Sequence, residues 1–465
     1  MQHLDTVTAR VARFGGSICC RRPQLADGGP GTFDPGTRGR GNGRILDDGG
    51  RLSLRRRNLS RLLGEVHTRG AQSRSDLAAR LGVNRSTVAS LVGELADRGL
   101  VSERAPLARS APGRPSPVVG PRRDGPVVIA LEIATDSLAA AVVALGGEIL
   151  ESIRVERRRG SQDPSSVADL LAGMACPLVE RFGSGRIVGV GVSVPGVVRR
   201  EDGFVHVAPN LDWRDVPLRQ LVRDRLPVDV PVLVGNDANL ATLAEHIRGA
   251  GAGMADFVCL WGEAGLGAGI VAGGTEYAGS AGYAGEVGHM PVNRDGSTCR
   301  CGARGCWETE VGEDALLRVA GLDASGGRDT LDALFARADA GDPVALAAIE
   351  SVGAWLGIGL AGLVNLLNPT AVALGGVYAR LYPRVRRSLQ RELDARALPS
   401  ARHAVEVVPA RLGQDSALLG AAELAFAHVI ADPSLVPATV RSGRPHRRPS
   451  IGRTEGGEPA ARSTM

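Results

Sequence analysis

The stretch VPVLVGNDANLATLAEH, residues 230–246, joins a short apolar run to a longer amphipathic run through a polar corner. The first run is rich in β-branched residues and is flanked by Pro and Gly, which is typical of a buried strand. The second run, from Asp237 to His246, has its apolar residues at helical spacing. In α/β sheets the carboxyl ends of strands open into the ligand crevice. The corner therefore predicts an α/β fold with Asn236 and Asp237 at a binding site.

The same alternation of strands and helices continues from Pro126 onward. Strand-like runs bounded by Gly and Pro are VVIALEI (127–133), AAAVVAL (139–145), IVGVGVSV (187–194), FVCLWGE (257–263), GAGIVAG (267–273) and AVALGG (371–376). A long apolar helix, ALAAIESVGAWLGIGLAGLVNLLNP (345–369), precedes the last of these runs. This order of elements favours a two-lobed α/β body over residues 126–432.

A different pattern, helical and basic, stands in front of this body. Its segments are RRRNLSRLLGEVHTRG (55–70), SRSDLAARLG (73–82), VNRSTVASLVGELADRGLV (83–101) and LVSERAPLARSAPGRPSPVVG (100–120). Ser73 and Asn84 are expected to cap the second and third helices, and Gly82 and Gly99 to end them. The last segment is typical of two strands joined by a loose loop. Together these elements predict a winged helix-turn-helix over residues 51–122.

The charge is distributed unevenly between these two parts. Residues 51–124 contain 15 Arg and 6 acidic residues, a net charge of +9, whereas residues 125–432 contain 27 Arg and 37 acidic residues, a net charge of −10. A basic module on an acidic body indicates nucleic-acid binding. The alternatives are a solvated basic surface and a plain three-helix interaction domain. The residue types that contact bases and phosphates are Asn84, Arg85, Ser86, Thr87 and Ser90 at the front of the third helix, and Arg114 in the wing loop.

The composition excludes several classes of protein. Of the 465 residues 43% are hydrophobic and 23% are charged, as in soluble globular proteins. No run of about 18 apolar residues predicts a membrane span, and no apolar segment near the N-terminus resembles a signal peptide. Seven cysteines, three of them clustered, fit a reducing cytoplasm. Residues 1–50 and 433–465 lack periodicity and are predicted to be disordered.

Several motifs in one order show that residues 54–430 resemble the ROK family, which comprises repressors, open reading frames and kinases. These motifs are GVSVPGVV (191–198), APNLDWRDVPL (208–218), GNDANLATLAE (235–245), GEAGLGAGIVAGG (262–274), GYAGEVGHM (282–290), CRCGARGCWE (299–308) and VALGG (372–376). The resemblance is to the repressor branch, and it implies a winged helix-turn-helix fused to a sugar-kinase body of the actin and ribonuclease-H type.

The resemblance also implies a sugar-binding site between the two lobes. The residues it assigns to that site are Asn210, Asn236, Asp237, Glu286, His289 and Glu308. Carboxylate and amide side chains suit a hexose, because each hydroxyl needs both a donor and an acceptor. Asp237 matches the general base that deprotonates the sugar hydroxyl in the family's kinases. For any single carboxylate, solvation at the surface is the alternative.

The clustered thiols predict a metal site. His289, Cys299, Cys301 and Cys306 supply one imidazole and three thiolates, which is a closed tetrahedral set for structural zinc. A chance cluster of cysteines is the alternative. Since His289 also belongs to the expected sugar site, one ring nitrogen would bind zinc while the other faces a sugar hydroxyl. The metal would fix the loops that present Glu286 and Glu308.

The first phosphate loop distinguishes a sensor from a kinase. The family's kinases carry Asp-x-Gly-Gly-Thr there, whereas this chain has Glu132, Ala134, Thr135 and Asp136 at the corresponding positions. Two Cβ atoms replace glycine hydrogens, and a carboxylate faces the place where phosphates would lie. We therefore expect no useful ATP binding and no catalysis, with Asp237 a vestige of the kinase base. The alternative is a glucokinase-like, ATP-dependent sugar kinase with an added DNA-binding domain. A pure interaction protein fits the sugar motifs poorly.

These observations predict a cytoplasmic, sugar-responsive transcriptional regulator that represses genes of carbohydrate uptake or catabolism. Its partners would be double-stranded DNA, a sugar or sugar-phosphate effector and further copies of the chain. A homodimer or homotetramer would bind a pseudo-palindromic operator, because two-fold symmetry in the protein is matched by symmetry in the half-sites.

Overall fold

The fold is described by a computed structural model for residues 46–105, 116–323 and 327–438, with side chains from residue 53 onward. The N-terminal domain consists of helices α1 (Leu46–Arg69), α2 (Arg74–Leu81) and α3 (Arg85–Asp97) and strands β1 (Gln72–Ser73), β2 (Val101–Arg104) and β3 (Val118–Pro121). The three strands form one sheet in the order β1-β3-β2. The predicted winged helix-turn-helix is thus confirmed. The two-residue strand β1 was not predicted, because its length gives no periodic signal.

The helix caps form where the sequence places them. The Ser73 side chain accepts a hydrogen bond from the backbone N–H of Asp76, and Asn84 accepts one from Thr87. Gly82 adopts φ 68°, a left-handed conformation that ends α2. The wing loop, with the predicted DNA contact Arg114, lies outside the described residues. The domain's core consists of Leu59, Leu62, Leu63, Val66, Leu77, Leu81, Val88, Leu91, Val92 and Leu95 together with its buried strand residues.

The body contains two five-stranded sheets of the same topology. The first-lobe strands are β4 (Val127–Ile133), β5 (Ser137–Ala144), β6 (Ile149–Glu156), β7 (Ile187–Val194) and β11 (Val232–Asn236), in the order β11-β7-β4-β5-β6. The second-lobe strands are β12 (Phe257–Gly262), β13 (Leu266–Ala272), β14 (Thr275–Glu276), β15 (Ala371–Gly376) and β16 (Glu406–Pro409), in the order β14-β13-β12-β15-β16. In each lobe three antiparallel strands are extended by two parallel ones. The predicted two-lobed α/β body is confirmed.

Helices and a small sheet complete the two lobes. The helices are α4 (Pro164–Phe182), α5 (Leu218–Arg223), α6 (Asp237–Arg248), α7 (Trp307–Val311), α8 (Glu313–Val319), α9 (Gly327–Asp339), α10 (Pro343–Leu367), α11 (Val377–Arg396), α12 (Pro399–Ala404) and α13 (Ser416–Ala431). The small sheet consists of β8 (Val197–Arg199), β9 (Phe204–Ala208) and β10 (Trp213–Val216). These three strands were not predicted.

Helix α10 is long and apolar enough to cross a membrane, with a mean hydropathy of 1.7 in its most apolar window. It is the one such helix among the described residues, and 56% of that window is buried inside the fold. Its buried face includes Ile349, Val352, Leu356 and Leu360 and belongs to the second lobe's core, together with α11 residues such as Leu389. Packing in the second lobe's core accounts for its apolar composition.

The domain boundaries differ slightly from the predicted ones. Helix α1 begins at Leu46, inside the segment that was expected to be disordered. Residues 433–438 are also folded: a short 3-10 turn covers Pro433–Leu435, and Arg98 of α3 donates hydrogen bonds to the carbonyls of Ser434 (3.2 Å) and Val436 (2.7 Å). Residues 46–50 and 433–438 therefore belong to folded segments and not to the predicted disordered tails. The remainder of both tails lies outside the described residues.

Helices α6 and α13 pack against each other between the two sheets. A Cβ at Gly420 of α13 would lie 1.9 Å from the carbonyl oxygen of Leu240 in α6. A Cβ at Gly191 of β7 would lie 1.8 Å from the carbonyl oxygen of Ala421. Both neighbours are backbone atoms, which cannot move aside as a side-chain end could. The contact between the lobes therefore requires these glycines.

This close approach makes Gly420→Ala strongly destabilising. The added methyl group must displace α6, and overpacking of this kind costs roughly 1–3 kcal/mol. The matched control is Gly93→Ala on α3, where nothing lies within 4 Å of the new Cβ and where Ala raises helix propensity by about 1 kcal/mol. In thermal unfolding we expect a lower midpoint for Gly420→Ala and an unchanged or higher one for Gly93→Ala. Equal midpoints in the two variants would contradict this packing.

Candidate functional site: a polar cleft between the lobes

A cavity of about 640 Å³ opens between the two lobes. Its lining includes all six residues that the resemblance assigned to the sugar: Asn210, Asn236, Asp237, Glu286, His289 and Glu308. They come from the end of β11, the start of α6, the loop at Asn210, the loop with Glu286 and His289, and the short helix α7. The volume falls within the range of small-molecule sites. The structure thus brings the six residues together.

Asn236 and Asp237 occupy the turn between β11 and α6. The Asn236 side chain caps the helix by accepting from the Asn239 N–H at 3.0 Å, and its amide donates to the Gly196 carbonyl (3.1 Å) and to Asp237 Oδ1 (3.0 Å). Asn236 therefore fixes the corner and orients the carboxylate beside it. Burial raises the pKa of Asp237 to about 7, although hydrogen bonds from backbone N–H groups oppose the rise.

Further carboxylates share this cleft. Glu263, directly after β12, lines the same cavity. Burial raises its pKa well above the usual value, and the negative charge of Asp237 adds to the effect. Burial also raises the pKa of Glu286, while the nearby charge of His289 lowers it. The cleft thus contains several carboxyl groups whose ionised forms are disfavoured by burial. An anion would add repulsion, so the cleft favours a neutral ligand with many hydroxyl groups.

Arg300 is a cleft residue that the sequence analysis missed. It lines the cavity, and its NH1 donates to Asn210 Oδ1 at 2.7 Å. Its NH2 pairs with Asp314 at 3.2 Å. The contact joins residues 90 positions apart, so no local pattern could have revealed it. Arg300 holds the Asn210 carbonyl oxygen and leaves that residue's NH2 group to donate.

A glycine-dependent loop carries Glu286 and His289 into the cleft. Gly285 adopts φ +101°, and a Cβ there would lie 1.9 Å from the carbonyl oxygen of Ala268 in β13. Further along, the backbone N–H of Trp307 donates to the carbonyl of Met290 at 2.8 Å. The Trp307 side chain is fully buried in the second lobe. The loop is thus anchored at both ends, with Glu308 directly after the buried tryptophan.

The predicted metal ligands converge in this loop. One ligand atom each from His289, Cys299, Cys301 and Cys306 lies within 4.8 Å of the others. His289 Nδ1 is 3.6 Å from Cys299 Sγ, and Cys301 Sγ is 3.7 Å from Cys306 Sγ. His289 Nε2 lies on the other side of the ring, 3.9 Å from a Glu286 oxygen. The four side chains can therefore hold one metal ion while the second ring nitrogen faces the cleft.

The loop that would hold a nucleotide's phosphates is occupied by ion pairs. Glu132 is only 3% exposed, and its carboxylate lies 2.9 Å from Arg154 NH2. Asp136 lies between Arg159 (3.5 Å) and Arg328 (3.4 Å). Arg159 also pairs with Glu313 of α8 at 2.9 Å. Since Asp136 and Arg159 follow first-lobe strands whereas Glu313 and Arg328 belong to second-lobe helices, these pairs join the two lobes.

The front of α3 forms the candidate DNA-binding surface. Arg85 and Ser86 are exposed, and Thr87 is half-buried. Asn84 uses its Oδ1 as the helix cap, accepting from Thr87 N and Ser86 Oγ, each at 2.8 Å. Ser90 Oγ accepts from Arg55 NH2 at 3.3 Å. Arg85 is therefore the side chain of this group most available to a ligand.

The winged helix-turn-helix and the two-lobed body with its polar cleft define a DNA-binding regulator built on a sugar-kinase fold. Comparison with family models agrees: the ROK family matches residues 128–428, and the MarR family matches residues 58–109. The chain belongs to the ROK family.

Individual relatives include both regulators and kinases. The chain is 28% identical over 304 residues to a xylose repressor of Bacillus spizizenii, covering 65% of this chain and 77% of the repressor. It is 33% identical over 320 residues to a glucokinase of Streptomyces coelicolor, covering 64% and 97%. A solved ROK family transcriptional regulator, a homolog of the E. coli MLC protein, superposes with a TM-score of 0.67 at 25% identity, covering 82% of this chain and 98% of that one.

The raised pKa of Asp237 has a consequence for stability. The folded-state pKa of about 7 lies above the usual aspartate pKa of 3.8, so the folded state binds more protons between these values and wild-type stability falls as pH rises through this window. Asp237→Asn removes the effect. We expect its melting midpoint to exceed that of wild type by about 2 °C or more at pH 8 and to match it near pH 4. The exposed Asp329→Asn serves as control; a pH-independent difference for Asp237→Asn would contradict the assignment.

Proposed function

We propose that this protein is a sugar-responsive DNA-binding transcriptional regulator, a repressor of genes for carbohydrate uptake or catabolism. The observation that carries the proposal is that one chain combines a winged helix-turn-helix with a polar cleft. In addition, ion pairs occupy the loop that the family resemblance assigns to a nucleotide's phosphates. The similarity to a xylose repressor over 77% of that protein supports it. We further propose that it acts in the cytoplasm as a homodimer or homotetramer on a pseudo-palindromic operator.

The ion pairs support a sensor without catalysis. A nucleotide phosphate placed against Asp136 would have to displace Arg159 and Arg328 and would meet further carboxylates at Glu132 and Glu313. Asp136 and Arg159 are each 17% exposed and Arg328 is 43% exposed, so displacing the arginines would leave a partly buried carboxylate without its partners, which is unfavourable. Sugar binding needs none of these changes. The site thus favours sugar alone over sugar together with ATP.

The second candidate is an ATP-dependent sugar kinase of the glucokinase type. The observation that favours it is Asp237, because a carboxylate with a pKa of about 7 is well matched to general-base catalysis near neutral pH. The similarity to glucokinases adds to it. Under the sensor proposal the same carboxylate accepts hydrogen bonds from sugar hydroxyls and transfers no proton.

We propose zinc as the ion for the His289, Cys299, Cys301 and Cys306 group. Three thiolates and one imidazole fit tetrahedral zinc and leave no open position for catalysis. When bound, the ion would supply a rigid cross-link of the loop. His289 would then present Nε2 to the cleft in a fixed orientation, beside Glu286.

Replacing Asp237 distinguishes the two candidates. Asp237→Asn removes the charge and turns one acceptor into a donor, so sugar affinity should fall by one to two decades, since a hydrogen bond to a charged group is worth roughly 1.5–3 kcal/mol. DNA binding without sugar should be unchanged. Wild-type protein with ATP, magnesium and sugar should release no ADP above background. Turnover that Asp237→Asn abolishes would instead establish the kinase.

Replacing Arg85 tests the DNA-binding surface. Arg85→Ala should weaken binding to a duplex selected by the wild-type protein by roughly 1–3 kcal/mol if the guanidinium contacts a guanine. Arg387→Ala, an exposed arginine on α11 of the body, makes the same charge change and should have little effect. Gel-shift titrations at several salt concentrations give both affinities. Equal affinities for the two variants would contradict the assignment.

Replacing Cys301 tests the metal. Cys301→Ser should lose zinc, as measured by elemental analysis, and should lose the sugar response because Glu286 and Glu308 would no longer be held. Cys176→Ser, a change on α4 outside the cluster, should retain both. A Cys301→Ser protein that lacks metal yet responds to sugar normally would show that zinc does not shape the cleft.

A further inference from the structure

A buried polar cluster joins the DNA-binding domain to the body. His67, near the end of α1, places Nε2 2.6 Å from Glu423 Oε2 of α13, and these two side chains are only 1% and 2% exposed. Arg248, the last residue of α6, donates from Nε to Glu423 Oε1 at 2.7 Å. Its NH1 donates to the His67 carbonyl (3.1 Å) and to the Gly146 carbonyl (2.7 Å). The Arg248 guanidinium thus contacts three separate parts of the fold: α1, α13 and the turn at Gly146.

The electrostatics of this cluster make it sensitive to displacement. Burial by itself would raise the pKa of Glu423, but the charge and hydrogen bonds of His67 and Arg248 outweigh burial and leave the pKa lowered. Glu423 is therefore a buried carboxylate that depends on its partners. Removing one partner of a buried ion pair is strongly unfavourable because the remaining charge stays desolvated. A shift of Arg248 would consequently change how His67 and α1 are held.

Helix α6 connects this cluster with the sugar cleft. Its first residue, Asp237, and its cap, Asn236, line the cavity, and Arg248 is the last of the helix's twelve residues. At 1.5 Å per residue the two ends are about 18 Å apart. A short, fully hydrogen-bonded helix transmits an axial or tilting movement from one end to the other. Occupancy at Asp237 can therefore reach Arg248 without any change in secondary structure.

The two helices that form the cluster belong to different lobes. Helix α6 packs closely on β13 of the second lobe, where Gly267 and Gly269 leave room for Ala238 and Thr242. Helix α13 packs on β7 of the first lobe through the Gly191 contact. A ligand that draws the lobes together must shift one helix relative to the other. The Arg248–Glu423 pair spans this boundary, directly beneath α1.

We propose that helix α6 transmits sugar occupancy to the DNA-binding domain, with Arg248 as the residue that couples the cleft to the His67–Glu423 pair. The proposal rests on the proposed function and names the route of its regulation. Arg248 acts as a positioning residue: it contacts neither the cleft nor the DNA-binding surface. Replacing Arg248 should therefore change the effect of sugar on DNA affinity. It should have a smaller effect on the affinity for sugar without DNA and on the affinity for DNA without sugar.

The test measures that linkage directly. The affinity of the full-length protein for a duplex that wild type has selected from a random pool is determined with and without saturating D-xylose or D-glucose. For wild type we expect one of these sugars to change the Kd by about tenfold or more, a usual size for allosteric coupling. The ratio of the duplex Kd values measured with and without sugar should fall below about threefold in Arg248→Gln. The sugar affinity of this variant, measured without DNA, should stay within about threefold of wild type.

Arg98→Gln is the matched control. Arg98 also ties the DNA-binding domain to a neighbouring segment through the part-buried carbonyls of Ser434 and Val436, and its other hydrogen bond goes to Glu94 of its own helix rather than to α6. This variant should keep the wild-type ratio. If sugar no longer changed the duplex Kd in either variant, any weakening of the contact between the DNA-binding domain and the body would abolish the sugar response. This result would overturn the specific role of Arg248.

A conservative variant covers the possibility that Arg248→Gln does not fold. Arg248→Lys keeps the positive charge beside Glu423 but cannot bind Glu423, His67 and Gly146 at once, so its ratio should lie between those of wild type and Arg248→Gln. Amide hydrogen exchange in residues 60–69 should respond to sugar in wild type and respond less in Arg248→Lys. Unchanged ratio and exchange in a folded Arg248 variant overturn the coupling alone. A wild-type ratio of one with both sugars contradicts the proposed function itself.

Discussion

The close packing of α6 against α13 between the two sheets is the constraint on which the rest of the structure depends. Gly420 brings the helices to backbone contact, and Gly191 does the same for α13 and the first sheet. Because backbone atoms set the closest approach of the two helices, this packing determines where the polar ends of α6 lie. One end must place Asp237 in the cleft, and the other must place Arg248 beside Glu423.

The electrostatics of the cleft follow from this arrangement. Asp237 and Glu263 are held where water has little access, and burial raises the pKa of each. Such a site resists an additional negative charge but suits a ligand with many hydroxyl groups. The neighbouring loop, which in a kinase would receive phosphates, instead neutralises its own carboxylates with arginines. The two features together support the proposal that this sugar-kinase fold serves as a sensor.

Local patterns in the sequence predicted the elements that are long or strongly capped. The buried strand VVIALEI, the Ser73 and Asn84 caps and the apolar helix before Pro369 all form as expected. The six cleft residues were identified through the family resemblance, and the fold brings them to one cavity. Their role in binding sugar remains a proposal.

Contacts that depend on tertiary packing could not be predicted. The partner of Asn210 is Arg300, 90 positions away, and the partner of His67 is Glu423, 356 positions away. Neither pair leaves a periodic signal, because each partner is specified only by how the lobes pack. Very short strands such as β1 also escaped, since two residues carry no alternation. The residues that connect the cleft to the DNA-binding domain belong to this unpredictable group.

The central claim is that sugar occupancy alone, without phosphoryl transfer, changes the affinity of this protein for DNA. The most direct measurement is fluorescence anisotropy of a labelled selected duplex while D-xylose or D-glucose is titrated into wild-type protein in nucleotide-free buffer. The account predicts a saturable shift in duplex affinity with one of these sugars, and no further shift when ATP and magnesium are added. A duplex affinity that responds to sugar only when ATP is present would contradict it.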